Sequence, residues 1–163
     1  MKNPFVMIFL PTLLVSCGQD GTTNKLSSDN TVVLEINPST ENPRNSEGSF
    51  IQLADGHILF IYSHFTSGDG DYASAYLAQR ISEDQGKTWS SETKTLGNEG
   101  GLNTMSVSLL RLQSGHIALF YGRKNSHTDC RPIMRISKDD AQTWGEPIEC
   151  IRGKLGYFVL NND

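Results

Sequence analysis

The sequence predicts an all-β chain built from repeated four-stranded units, and three observations carry that prediction. An eight-residue pattern occurs twice, as Ser82-Glu83-Asp84-Gln85-Gly86-Lys87-Thr88-Trp89 and as Ser137-Lys138-Asp139-Asp140-Ala141-Gln142-Thr143-Trp144, 137 − 82 = 55 residues apart. Upstream, Leu53-Ala54-Asp55-Gly56-His57-Ile58 answers to Leu112-Gln113-Ser114-Gly115-His116-Ile117 at an offset of 115 − 56 = 59. The difference between the offsets marks a loop that changed length between two copies of one unit. Finally, each copy sets β-rich runs between Gly-, Asp- and Ser-rich turns. Four strands per unit at this period make a propeller blade.

In the first unit, residues 49–53 form a strand, Ala54-Asp55-Gly56 a tight turn and residues 58–64 a second strand. Gly56 supplies the positive φ that such a turn needs. Ile58-Leu59-Phe60-Ile61-Tyr62 is apolar without a break, as expected of a strand covered on both faces. A Gly/Asp/Ser loop follows over 65–71, then a third strand over 73–82, the eight-residue turn, and a fourth strand over 89–95. The second unit repeats this with strands over 107–112, 117–123 and 130–137. In each eight-residue turn the Asp accepts from its own loop's N–H groups, Gly eases the backbone, and Trp packs between strands.

The chain opens differently. Met1-Lys2-Asn3 is a short basic start, and the apolar run over 5–15 is too short to span a bilayer. It reads as the core of an export leader. Leu14-Val15-Ser16-Cys17 has the form of a bacterial lipobox, in which Cys17 becomes the lipidated first residue. Acyl chains would then anchor an exported protein, at the periplasmic face or the cell surface, without a spanning helix. Residues 18–42 supply a polar tether, unable to bury enough apolar area to order itself over 18–30, and a first strand leading into the domain. Export permits a disulfide between Cys130 and Cys150, with two buried free thiols as the equal alternative.

With 14 Lys+Arg against 18 Asp+Glu, the net charge of −4 argues against a nucleic-acid or anionic-membrane surface. It leaves room for an anionic small ligand, because a few arginines in a pocket can hold a carboxylate. His57, His64, His116 and His127 show no metal-ligand spacing, and no cofactor motif is present.

The two turns resemble the Asp-box of the bacterial sialidase (neuraminidase) family. The first matches at Ser82, Asp84, Gly86, Thr88 and Trp89; the second keeps Ser137, Asp139, Thr143 and Trp144 but has Ala141 in place of Gly. The resemblance implies a six-bladed propeller, of which this chain would hold one blade over about 43–98, a second over about 99–152 and the start of a third at 156–163. It also implies that the box residues are structural. The family's chemistry uses an arginine triad on the substrate carboxylate, a Tyr/Glu nucleophilic pair and an Asp acid/base, releasing terminal sialic acid from glycans.

Carried onto this chain, the first triad arginine is Arg44, in Asn42-Pro43-Arg44-Asn45-Ser46-Glu47-Gly48, where the Pro precedes rather than follows. Glu47 would steady it. The acid/base falls in Ser67-Gly68-Asp69-Gly70-Asp71-Tyr72-Ala73, at Asp71 or alternatively Asp69. Arg123 is a further substrate-binding candidate, with Arg80 and Arg131 behind it. Tyr157 reads as a strand residue. The remaining arginines and the nucleophile would lie in later blades, so the chain is expected to be an inactive N-terminal part of a sialidase. A non-catalytic surface propeller that binds glycans or acts as a scaffold is the alternative.

Overall fold

The computed structural model describes residues 5–8, 31–153 and 156–160. Ten strands and no helix are found there. β3 (Arg44–Gln52), β4 (Ile58–Phe65), β5 (Ala75–Ser82) and β6 (Thr93–Leu96) form one antiparallel meander. β7 (Asn103–Arg111), β8 (Ile117–Lys124), β9 (Cys130–Ser137) and β10 (Ile148–Glu149) form a second with the same order. Two strands precede them: β1 (Phe5–Ile8) pairs antiparallel with β2 (Val32–Ile36). Phe5–Ile8, expected within a leader, is thus extended and paired in the uncleaved chain. Cys17 lies outside the described residues.

The continuous apolar run of β4 is covered on both faces. Leu59 and Ile61 point into the core between the sheets, with Leu77 from β5 and Val107, Leu119, Tyr121 and Ile133 from the second sheet. Phe60 and Tyr62 point the other way, where Ala78, Trp89 and the β2 residues Leu34 and Ile36 cover them. Successive strand residues alternate faces, so one apolar run serves two layers. On the β2 side, Glu92 accepts from Tyr62 (2.5 Å) and Tyr76 (3.0 Å) and pairs with His64 Nδ1 at 3.0 Å. Burial alone would push the Glu92 carboxyl up; the hydrogen bonds from His64, Tyr62 and Tyr76 outweigh it and hold it at about 2.

The inner strands begin earlier than the sequence suggests, at Arg44 and Asn103 rather than near residues 49 and 107. Each carries a β-bulge, between Ser46 and Ser49 and between Met105 and Ser108. The extra residues, Glu47 (φ 38°) and Ser106 (φ 61°), break the two-residue alternation that marks a strand. Gly48 follows the first bulge because a Cβ there would lie 2.3 Å from Cε2 of buried Phe60.

The eight-residue turns close as their chemistry predicts. Asp84 Oδ1 accepts from Ser82 Oγ (2.9 Å) and Thr88 N (2.8 Å), and Oδ2 from Thr88 Oγ1 (2.7 Å). Asp139 repeats the pattern with Ser137 and Thr143. Hydrogen bonds from Thr88 and from Thr143 hold both carboxyls at about 2, against an ordinary 3.8. Folded values below the unfolded one mean stability that is present above about pH 4 and lost as pH falls through about 2. We expect urea midpoints to drop over that window, and the drop to shrink in Asp84→Asn and Asp139→Asn.

Ala141 holds φ 70° where the first turn has Gly86 at φ 88°. An L side chain in the left-handed region costs about 1–2 kcal/mol, part of which Gly returns as unfolded-state entropy. Ala141→Gly is therefore expected to stabilise the fold by about 0.5–1 kcal/mol, read from the urea midpoint. This second turn also locks the sheets together. Asp140 Oδ2 accepts from Ala54 N (2.6 Å) and Oδ1 from Arg111 (3.0 Å), which also donates to Gln52 O (2.6 Å).

Candidate functional site

Both eight-residue turns lie at one end of the two sheets. At the opposite end the first residues of β3 and β7, the last of β4 and β8, and the loop over 66–74 come together. Arg44 begins β3 opposite Phe65, and its guanidinium lies 4.5 Å over the Phe65 ring. Its Nη1 donates to Asp71 Oδ1 at 2.6 Å and to the Asp69 carbonyl at 3.1 Å. Its Nη2 is 3.9 Å from Glu47 Oε1. The structure thus brings Arg44, Glu47 and Asp71 into one cluster. Asp69 joins through its backbone oxygen rather than its carboxylate.

The hydrogen bond from Arg44 holds the Asp71 carboxyl below the usual carboxylate range, against a smaller opposing effect of burial. Its charge interaction with Lys124 acts in the same direction. In this state Asp71 is an anion, able to accept a proton but not to donate one.

Two residues that the sequence reading left aside position Asp71. Asn103, fully buried at the start of β7, donates through Nδ2 to the Asp71 and Ala73 carbonyls, each at 2.9 Å. Lys124 Nζ donates to the same Asp71 carbonyl at 2.8 Å. The first sheet's loop is therefore held by side chains of the second. The signal for both was in the repeat. Asn103 falls at the position of Arg44 and Lys124 at that of Phe65, since 103 − 44 and 124 − 65 are both 59. A lysine replacing an aromatic at the buried end of a strand marks a change of role.

A pocket of about 110 Å³ opens here, bounded by Glu47, Asp71, Ser106, Lys124 and Tyr157 among others. A larger cleft of about 440 Å³ lies at the other end, against Asp55, His57, Gln79 and Asp140. Its charged groups are already committed, Asp140 to Arg111 and Ala54 and His57 to Asp55. The smaller pocket is where Lys124 meets two of the expected site residues, Glu47 and Asp71.

The other arginines sit elsewhere. Arg123 lies 3.8 Å from Glu149, which also takes Arg131 at 2.5 Å, and Arg131 in turn pairs with Asp129. Arg80 donates to Ser90 O (2.7 Å) and to the Tyr62 hydroxyl (3.4 Å), inside the first sheet's own network. Cys130 and Cys150 are both free thiols, the first buried and the second exposed. Among the described residues no group of three or more His, Cys, Asp or Glu is placed to hold a metal ion.

No family model and no curated protein matches the chain. Solved structures do. A protein of unknown function from Dyadobacter fermentans superposes with a TM-score of 0.60 at 16% identity, over 75% of this chain and 41% of that one. A Hadza microbial sialidase gives 0.54 at 15% identity, over 67% and 26%. A Trypanosoma rangeli sialidase, solved with 2,3-difluorosialic acid as a covalent intermediate, gives 0.51 at 16% identity, over 76% and 22%. The chain thus spans less than half the length of each of these structures. The fold is all-β and of the sialidase-like β-propeller kind, with two successive four-stranded blades among the described residues.

Proposed function

We propose that these two blades contribute the carboxylate grip and the acid/base of an exo-α-sialidase-like glycoside hydrolase, which releases terminal sialic acid from glycoconjugates with retention. The observation that carries this reading is the Arg44–Asp71 pair, set at the loop end of blades whose fold is shared with sialidases. Arg44 offers a planar fork that matches a carboxylate, and Glu47 steadies it. A sugar carboxylate arriving at Arg44 competes with Asp71. Once displaced, Asp71 loses the hydrogen bond that keeps its carboxyl low, and the like charge of the sugar carboxylate beside it favours uptake of a proton from solvent, which Asp71 then passes to the departing glycosidic oxygen. The covalent intermediate named for the Trypanosoma rangeli neighbour suits a retaining course with a Tyr nucleophile. We assign that nucleophile to the part of such propellers that this chain does not cover.

The test is hydrolysis of a fluorogenic α-sialoside. The protein that carries these blades is expected to turn it over and to lose turnover in Asp71→Ala, whereas the 163-residue chain by itself is expected to be inactive. Turnover that survives Asp71→Ala overturns the assignment. One observation favours a second reading, a glycan-binding or scaffold module without catalysis: Arg44 and Asp71 already satisfy each other in the unliganded structure. Specific binding of sialylated glycans with no turnover by any form would select it.

Residues 1–17 fit the same surface role as an export leader ending at a lipidated Cys17, with the membrane reached only through that anchor. The mass of the mature N-terminus checks this, since an unmodified chain starting at Met1 contradicts it.

A further inference from the structure

We propose that Lys124 is a second cationic contact for the ligand, binding the carboxylate of an acidic sugar in the pocket between the ends of the two blades. This rests on the sugar-acid reading above and adds to it a residue of the second blade.

Lys124 ends β8 and is only 3% exposed. Its ammonium donates to the Asp71 carbonyl and lies 3.3 Å from Met105 Sδ, neither of which carries charge. Among the described residues no carboxylate lies within ion-pair distance of it, although the Asp71 carboxylate is near enough for their charges to interact. The carboxylates of Asp71 and Glu47 are both turned to Arg44. The rings of Tyr72 and Tyr157 stand 5.0 and 5.4 Å from Nζ. Such contacts offset part of the desolvation, but a buried ammonium without a counter-ion in direct contact remains expensive.

A purely bracing role does not account for this residue. Asn103 already donates to the same Asp71 oxygen, with no charge to bury. What Lys124 adds is positive potential in a pocket too small for much beyond the head of a ligand. Arg44 takes the side chain of Asp71 and Lys124 its carbonyl, so the two cations converge on one residue from different blades. An anion entering the pocket supplies Lys124 with a counter-charge in direct contact, which no carboxylate among the described residues provides, that of Asp71 acting on it only through space.

The experiment is an NMR titration of the full 163-residue chain with its lysines carrying ¹³C and ¹⁵N labels. The probes are N-acetylneuraminic acid and its neutral analogue with the carboxyl reduced to an alcohol. We expect the Lys124 Cε and Nζ signals to shift with the acid and not with the neutral analogue. Lys124→Met is expected to weaken the acid's Kd by at least about 10-fold, as for loss of a buried charge partner. Lys124→Arg, which keeps the charge, should stay within about threefold. If Lys124→Met does not fold, the wild-type signals decide. Unmoved Lys124 signals with the acid bound, or an unchanged Kd in a folded Lys124→Met while Arg44→Ala abolishes binding, would overturn the role of Lys124 and leave the sugar-acid reading intact. Failure of the acid to bind at all would overturn both.

Discussion

In the protein that carries these blades, alanine at Arg44 is expected to lower kcat/KM for an α-sialoside by roughly 10²–10³-fold and to leave the fold almost untouched. Removing one member of a close charge pair between ligand and protein costs about 2–5 kcal/mol, and each 1.36 kcal/mol is tenfold in rate. The fold is insensitive because the internal partner is a surface group: Asp71 is 62% exposed and Arg44 25%. Pairs of that kind contribute under about 1 kcal/mol. Arg44→Lys separates charge from geometry. It keeps the cation over Phe65 but loses the fork, so an intermediate loss of about tenfold is expected. Steady-state kinetics beside urea unfolding checks both halves. A collapse of stability in Arg44→Ala would make the residue a strut rather than a ligand.

Alanine at Tyr121 should do the opposite, removing about 3–5 kcal/mol of stability. Tyr121 is fully buried in the core between the blades, and its hydroxyl donates to Glu99. Arg135 bridges the two, with Nε 3.1 Å from the hydroxyl and Nη2 2.5 Å from Glu99 Oε1. Truncation leaves a cavity in the sheet interface and takes from Arg135 and Glu99 the group between them. The first blade builds a related arrangement, in which Tyr62 donates to Glu92 and accepts from Arg80 while His64 pairs with Glu92, so the design is one of blade packing rather than chemistry. Against a typical total of 5–15 kcal/mol, the loss would leave little folded protein at mild urea. Tyr121→Phe keeps the ring and orphans only the polar groups, so about 1–2 kcal/mol is expected. Chemical denaturation of both variants checks this, and a Tyr121→Ala loss below about 1 kcal/mol would contradict the packing described.

The repeat made the sheets legible. Two offsets, a Gly at each tight turn and an unbroken apolar run in β4 were enough to order seven of the eight strands of the two meanders, β10 being the one not placed. The bulges were not legible, because Glu47 and Ser106 take positive φ without the Gly that would announce it. That hid the first residues of β3 and β7, and with them Asn103. Arg44 and Asp71 were reached through the resemblance, which put them before and after the first hairpin, and the structure brings them into contact. Arg123 and Lys124 show the limit of such reasoning. Neighbours on one strand face opposite sides, so choosing between them by chemistry alone is blind to a one-residue register. The guanidinium of Arg123 goes to Glu149, and the ammonium of Lys124 goes to the pocket. The pairing of β1 with β2 was equally hidden, since a short apolar run serves a leader and a strand alike.

The central claim is that Arg44 and Asp71 form one site whose protonation depends on whether they hold each other. Following the Asp71 carboxyl by ¹³C NMR as a function of pH tests it most directly. The account predicts that it titrates below the usual carboxylate range in the wild-type chain, and that it moves up both in Arg44→Ala and when N-acetylneuraminic acid saturates the site. A carboxyl that titrates at its ordinary value in the wild type, or that stays put under both changes, would contradict it.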